Sequence, residues 1–321
     1  RYTMARATKL AIVGFDSISL PFLETFVRRG VMPTVARLME RGSTTQTWPF
    51  HPMETATNWA CLATGASPAV HGCNMSMPAP GGPPDRIVSA FPAEYCKAEQ
   101  LWSAAHRAGK RSIVFDWTQS WPPAFEDDLI HVGEDGRPNF AIRALQESQA
   151  YTTDPNIPDH FHVRHVQPVP ALGWTSPSPG AMEFELPIVP TYSNPFWRFA
   201  LPTQYQQVSS LWARVEFEGG SAAAVAVYAS KDAGRPLFVC RLNRWSDWAR
   251  HAFVADEQPV EATVRGKLLA LSPDGTQVHL YLSEIYPTQG FVHPARLGPS
   301  LLETCGPYVI QCSRQQVVIA N

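Results

Sequence analysis

Apolar and polar positions change texture three times along the chain. Residues 9–16 form a short apolar run that ends in an acid, the pattern of a buried parallel strand opening into a loop at its C-terminal end. Pro21 then opens a helical stretch over 20–29 that Gly30 stops. Pro33 opens a second, with Val35, Leu38 and Met39 on one face and Gly42 beyond its end. Proline just inside a helix start and glycine just past its end is the expected asymmetry. Farther on, 101–108 reads as a helix capped by Gly109, and 111–116 as another buried strand. Strands alternating with helices predict an α/β layer over residues 1–150, a mostly parallel sheet flanked by helices.

The alternation then dissolves. Between Pro155 and Pro202 lie ten prolines with scattered aromatics and no period. A flexible tether would be poorer in Trp, Phe and Tyr, so 151–207 is expected to be an ordered excursion. Residues 208–290 read as an antiparallel β insertion, with strands at 211–217, 222–230, 237–243, 260–272 and 277–286. Glu218-Gly219-Gly220 and Pro273-Asp274-Gly275 are the turn signals between them. Residues 291–321 are expected to return toward the first layer, and no internal repeat is visible.

Composition narrows the classes. The chain has 321 residues, 45% hydrophobic and 17% charged, with a formal net charge of −2. That suits one large domain or two ordinary ones and excludes a nucleic-acid groove built on a basic face. No apolar run approaches the roughly 20 residues of a membrane span. The six cysteines (Cys61, Cys73, Cys96, Cys240, Cys305 and Cys312) lack C-x-x-C spacing, so neither a zinc ribbon nor a dense disulfide framework is expected. Unpaired cysteines point to the cytoplasm, although a removed signal peptide would leave no trace.

The chemistry concentrates in Asp16 and in residues 51–72. Thr55 stands where a loop after Pro52 turns into a helix, with Ala56, Ala60 and Ala63 able to pack closely. A hydroxyl there meets free backbone N–H groups and the positive end of the helix dipole, a natural seat for a phosphate. Threonine attacks only when a base or metal activates it, and Asp16 could supply a hard oxygen ligand beside it. Asn58, a turn after Thr55, can aim an amide donor at the same oxyanion. Taken alone, Thr55 reads more readily as a helix N-cap.

The combined motifs go further. Strand-Asp16, Gly30-x-x-Pro33 with Leu38, Thr55-x-x-Asn58, Thr64-Gly65 and Pro68-x-x-His71-Gly72 resemble the alkaline-phosphatase superfamily, in its type I phosphodiesterase/nucleotide pyrophosphatase branch. Residues 102–123, with Trp117-Thr118 and Trp121-Pro122-Pro123, and the pairing of Trp245-Ser246-Asp247-Trp248 with 280–283 resemble its bacterial phosphohydrolase or phosphomutase members. The resemblance implies an alkaline-phosphatase-like core and hydrolysis of phosphate esters. It implies two divalent metal ions, usually zinc, with Asp16 and Thr55 among the ligands. Thr55 would be the nucleophile that becomes phosphothreonine, and Asn58 would stabilise the oxyanion. His71 would be structural; Glu54, beside Thr55, reads as a solvated acid or one at the pocket edge.

One departure bears on completeness. The resemblance implies further ligands, an Asp-x-x-x-His pair, an Asp-His-Gly and another His, all placed after the β insertion. The cluster Asp159-His160-Phe161-His162-Val163-Arg164-His165 lies upstream with different flanks. The expectation is therefore an N-terminal portion of a hydrolase acting on a phosphate-ester substrate, with a companion chain carrying the remaining ligands. Residues 307–320, with Tyr308, Val309, Ile310 and 317–319, would then be its seam. A catalytically incomplete subunit that binds through Trp245 and Trp248, and a phosphoryl transferase using the same nucleophile, are the alternatives.

Overall fold

The computed structural model describes residues 9–16, 18–51, 53–78, 80–85, 87–125, 129–133, 144–158, 162–175, 177–194, 199–202 and 205–307. Asp159, His160, Cys312 and the expected seam at 308–320 lie outside the described residues. The fold is mixed α/β with several sheets, and the chain divides into two compact units, 1–90 with 96–98 and 91–95 with 99–321.

The first unit carries α1 (Leu20–Arg28), α2 (Pro33–Arg41), α3 (Thr55–Thr64), α4 (Pro68–His71) and the antiparallel pair β1 (Ser76–Pro78) and β2 (Ile87–Ser89). Proline in the first turn of α1, α2 and α4 presets φ where the N–H needs no partner. Gly65 and Gly72 end α3 and α4 in the left-handed region, at φ of 66° and 70°, which glycine adopts without a Cβ penalty. α3 buries Ala56, Thr57, Ala60 and Ala63, a stripe of small side chains that admits close approach.

Residues 9–16 are not a strand, contrary to the sequence expectation, and have no ladder partner among the described residues. Leu10 and Val13 are 81% and 74% exposed. A buried parallel strand needs neighbours on both edges and cover on both faces, and the described residues provide neither.

The second unit opens with α5 (Leu101–Arg107), β3 (Ser112–Phe115) and β4 (Leu129–Val132). The proline-rich excursion is ordered over its described residues: β5 (Gln149–Thr152), β6 (Val163–His165), β7 (Val169–Pro170), β8 (Met182–Leu186), β9 (Thr191–Asn194) and β10 (Phe199–Pro202). There follow β11 (Leu211–Glu218), β12 (Ser221–Tyr228), β13 (Phe238–Cys240), β14 (Ala249–Ala255), β15 (Gln258–Val264), β16 (Gly266–Leu271), β17 (Val278–Leu282), β18 (Tyr286–Pro287), β19 (Val292–His293) and α6 (Gly298–Cys305).

β3 and β4 pair in parallel and β19 closes their far edge; β5 and β6 form the other parallel pair among the described strands. The antiparallel sheets ordered β13-β12-β11-β8-β7 and β14-β15-β18 and the mixed sheet β16-β17-β5-β6 enclose one core containing Leu186, Leu211, Phe253, Leu268 and Leu280.

Two differences from the sequence reading have local causes. The single strand expected at 260–272 is two, because the chain leaves one sheet after Val264 and enters another at Gly266. A Cβ on Gly266 would stand 2.6 Å from Cys240 Sγ and 2.9 Å from Phe238, so only glycine fits the crossover. The unexpected strand is β14. Its turn to β15 is Asp256-Glu257, both at positive φ (45° and 66°), a hairpin geometry normally announced by Asn-Gly or Asp-Gly. The Asp256 carboxylate supports it by accepting from the Gln206 and Gln207 amides at 3.0 and 2.7 Å.

Candidate active site

Thr55 is the first residue of α3 and half-buried, with Glu54 in extended backbone at the cap position and no side-chain cap on the helix. Its hydroxyl therefore stands within the turn whose N–H groups point out of the helix, where a phosphate oxygen finds donors and a favourable dipole.

The loop leading into that turn is held by Asn58. Its Oδ1 accepts from the Phe50 amide at 2.8 Å, and its Nδ2 donates to Phe50 O at 3.2 Å and to Glu54 O at 3.1 Å. From behind, Thr57 Oγ1 donates to Cys73 O at 3.2 Å, and the Glu54 carboxylate accepts from the Met75 amide at 3.4 Å. Glu54 thus braces the backbone at the expected edge of the site.

Asp16 is exposed, two residues beyond Gly14. Gly14 lies so tightly against the Trp59 ring that a Cβ would fall 2.2 Å from it. Trp59 follows Thr55 by one helical turn, so the end of the 9–16 segment is packed on the N-terminal half of α3. Asp16 and Thr55 both supply hard oxygen donors, the type a zinc or magnesium ion accepts. Two donors fall short of a closed set, and among the described residues no group of three or more His, Cys, Asp or Glu is arranged to hold a metal ion.

His71 is fully buried, with both ring nitrogens engaged. Nδ1 accepts from the Cys73 amide at 2.9 Å, which places the ring proton on Nε2, 3.2 Å from Cys61 Sγ. Burial lowers its pKa and keeps it neutral. Left-handed Gly72 makes the turn that brings the Cys73 amide to the ring.

The described histidines of the 159–165 cluster bond to backbone: His162 Nδ1 lies 3.0 Å from Ser148 O, and His165 Nε2 lies 3.1 Å from Ile157 O. Trp245 and Trp248 sandwich the Arg265 guanidinium, at 4.2 and 4.4 Å from the ring centroids.

Two polar groups of the second unit were not singled out from the sequence. Asp116 follows β3 at a φ of 47°, where desolvation raises its carboxyl pKa. The signal was there, since 111–116 repeats the apolar-run-then-acid pattern of 9–16. His131 on β4 is buried, 2.6 Å from Ser120 Oγ, and burial with neighbouring His293 pushes its pKa down to about 4. Nothing in its sequence context marks it.

The family model of the type I phosphodiesterase / nucleotide pyrophosphatase family matches residues 10–268, well over half of the chain. The protein belongs to this family, within the alkaline-phosphatase superfamily. Membership supports phosphoric-ester hydrolysis, and the family is in general metal-dependent. No curated protein and no solved structure matches the chain. No helix among the described residues is long and apolar enough to cross a membrane.

Proposed function

We propose that the protein hydrolyses phosphate esters, as a phosphodiesterase or phosphomonoesterase, with Thr55 as nucleophile and Asp16 as a metal ligand beside it. The observation that carries this reading is the packing of Gly14 on Trp59, which sets the segment ending in Asp16 against the helix that begins at Thr55. Both residues fall within the span that the family matches.

Asp16 and Thr55 would hold a divalent ion, which when bound acidifies a coordinated hydroxyl and offsets phosphoryl charge. The rest follows from the chain's own groups. Thr55 Oγ1 attacks phosphorus in line with the leaving oxygen, and the first N–H groups of α3 receive the developing charge. Asn58 serves in two ways. It fixes the loop at Phe50, and it offers an amide hydrogen to a phosphoryl oxygen by giving up one of its carbonyl bonds. Hydrolysis of the phosphothreonine returns the enzyme.

The missing ligands are proposed to lie in further polypeptide, with this sequence as the N-terminal portion of the core and residues 208–290 as its antiparallel insertion. Exposed apolar side chains support that reading. Ile113 and Phe115 on β3 are 74% and 66% exposed, and β3 is the outer strand of its sheet. In the complete core, β3 and β4 would then belong to a mostly parallel sheet.

Turnover of a chromogenic aryl phosphodiester by wild type, Asp16→Asn and Thr55→Ala, with metal content measured in each, tests the assignment. Asp16→Asn should lose both metal and activity, and Thr55→Ala activity above all. Full activity in either variant would overturn the role assigned to that residue.

A further inference from the structure

Three cysteines of the first unit, Cys61, Cys73 and Cys96, none of them in a disulfide, gather around His71 behind α3. Two of them are held together by backbone. The His71 carbonyl accepts from the Lys97 amide at 2.9 Å and from the Cys73 thiol at 3.7 Å, so residue 97 and the Cys73 side chain meet on one oxygen. Cys96 immediately precedes Lys97, and its thiol is within hydrogen-bonding reach of Cys73. The Lys97 stem covers Gly72, about 3.5 Å from where a Cβ on that glycine would stand, which closes the two segments further.

A metal site does not fit this arrangement. The Cys73 amide occupies the Nδ1 lone pair of His71 and leaves the proton on Nε2, so the ring has no free donor pair. Cys61 is engaged with that Nε2 at 3.2 Å.

We propose that Cys73 and Cys96 are a disulfide-forming pair, a modification site that staples residues 71–75 to 96–98 behind the first turn of α3. The bond requires the two sulfurs, already within hydrogen-bonding reach, to close to an S–S length of about 2.05 Å. The step is exchange with a low-molecular-weight disulfide such as oxidised glutathione. The thiolate of Cys96, the more exposed of the two, attacks one glutathione sulfur and expels one glutathione thiolate. Cys73 loses its proton to solvent and displaces the second. Two protein thiols become one disulfide, one glutathione disulfide becomes two glutathione thiols, and the two protons released from the protein end on them. Hydrogen bonding to Cys96 and burial raise the Cys73 thiol pKa, and Cys96 is the thiol that solvent reaches, so Cys96 attacks first.

The staple has a structural consequence. Cys73 O receives the Thr57 hydroxyl and the Met75 amide reaches Glu54, so the tethered segment is the one that braces the turn bearing Thr55. Closing the 73–96 loop restricts the unfolded chain and should raise stability. None of this depends on Thr55 being a nucleophile, and the test uses no substrate.

The full chain is equilibrated with oxidised or reduced glutathione, blocked with iodoacetamide, digested with trypsin and mapped by mass without reduction. The expected product is peptide 42–86 joined to peptide 87–97, formed in wild type and in Cys61→Ser but lost in Cys96→Ser. The oxidised wild type should melt several degrees above the reduced form, and Cys96→Ser should abolish that difference. Alkylated Cys96 throughout the oxidised sample, or a cross-link retained in Cys73→Ser and lost in Cys61→Ser, would overturn the assignment. If a variant fails to fold, fragmentation of the wild-type cross-linked peptide decides, because iodoacetamide marks Cys61 when Cys73 carries the cross-link and Cys73 when Cys61 does.

Discussion

The α3 region and the β-rich second unit are built on opposite terms. In the second unit, five strands, β8, β11, β14, β16 and β17, bury Leu186, Leu211, Phe253, Leu268 and Leu280 in one core. In the first, α1 and α2 have no fully buried residue, and α3 buries only alanines and Thr57. Yet α1 and α2 carry apolar stripes at helical spacing, among them Phe22, Phe26 and Leu38, which are exposed. A stripe of that kind exists to be covered. The comparison teaches that the packing is concentrated in the β-rich part, while the apolar faces of α1 and α2 stand open among the described residues.

The largest expected effect lies in that core. Phe253→Ala should cost about 3–5 kcal/mol of unfolding free energy, because the emptied site is fully enclosed. Denaturant titration of the full chain checks it, and a loss below about 1 kcal/mol would break the contrast between the two units.

Next comes the acid response. His131 titrates near 4 when folded and near 6.5 when unfolded. The unfolded chain therefore binds the proton first, and stability falls as pH drops from about 6.5 to about 4. The full loss is about 3 kcal/mol. Substituting His131→Gln should flatten that limb of the stability–pH curve even if it lowers the plateau.

Gly266→Ala drives a methyl into Cys240 and Phe238 and should cost about 1–3 kcal/mol by the same titration. Leu38→Ala, by contrast, removes a side chain that is already in water and should change stability by under about 0.5 kcal/mol. A cost several times larger would mean that α2 is covered in solution by something that the chain itself supplies.

What the sequence made legible follows the same division. α1, α2 and α5 were readable because proline and glycine punctuate them, and the small-residue face of α3 marked the helix behind Thr55. The strand expected at 9–16 was not formed, because an apolar run specifies burial but not the neighbours that provide it. β14 escaped notice because Asp256-Glu257 does by carboxylate support what Asn-Gly does by intrinsic preference. At the candidate site, Asp16, Thr55 and Asn58 are legible through the resemblance of their motifs to the family, since spacing alone leaves Thr55 a helix N-cap. The engagement of the Asn58 amide with Phe50 and Glu54, and the burial of His131, depend on tertiary contacts that no local pattern encodes.

The central claim is that Thr55 carries the phosphoryl group. The direct measurement is acid-quenched mass analysis of peptide 42–86 from the natural polypeptide, with any chain that copurifies, during turnover of an aryl phosphodiester. The account predicts a phosphoryl adduct on Thr55, and in Thr55→Ala no adduct, with turnover lowered at least about 10³-fold and the fold intact. Undiminished turnover by Thr55→Ala would contradict it.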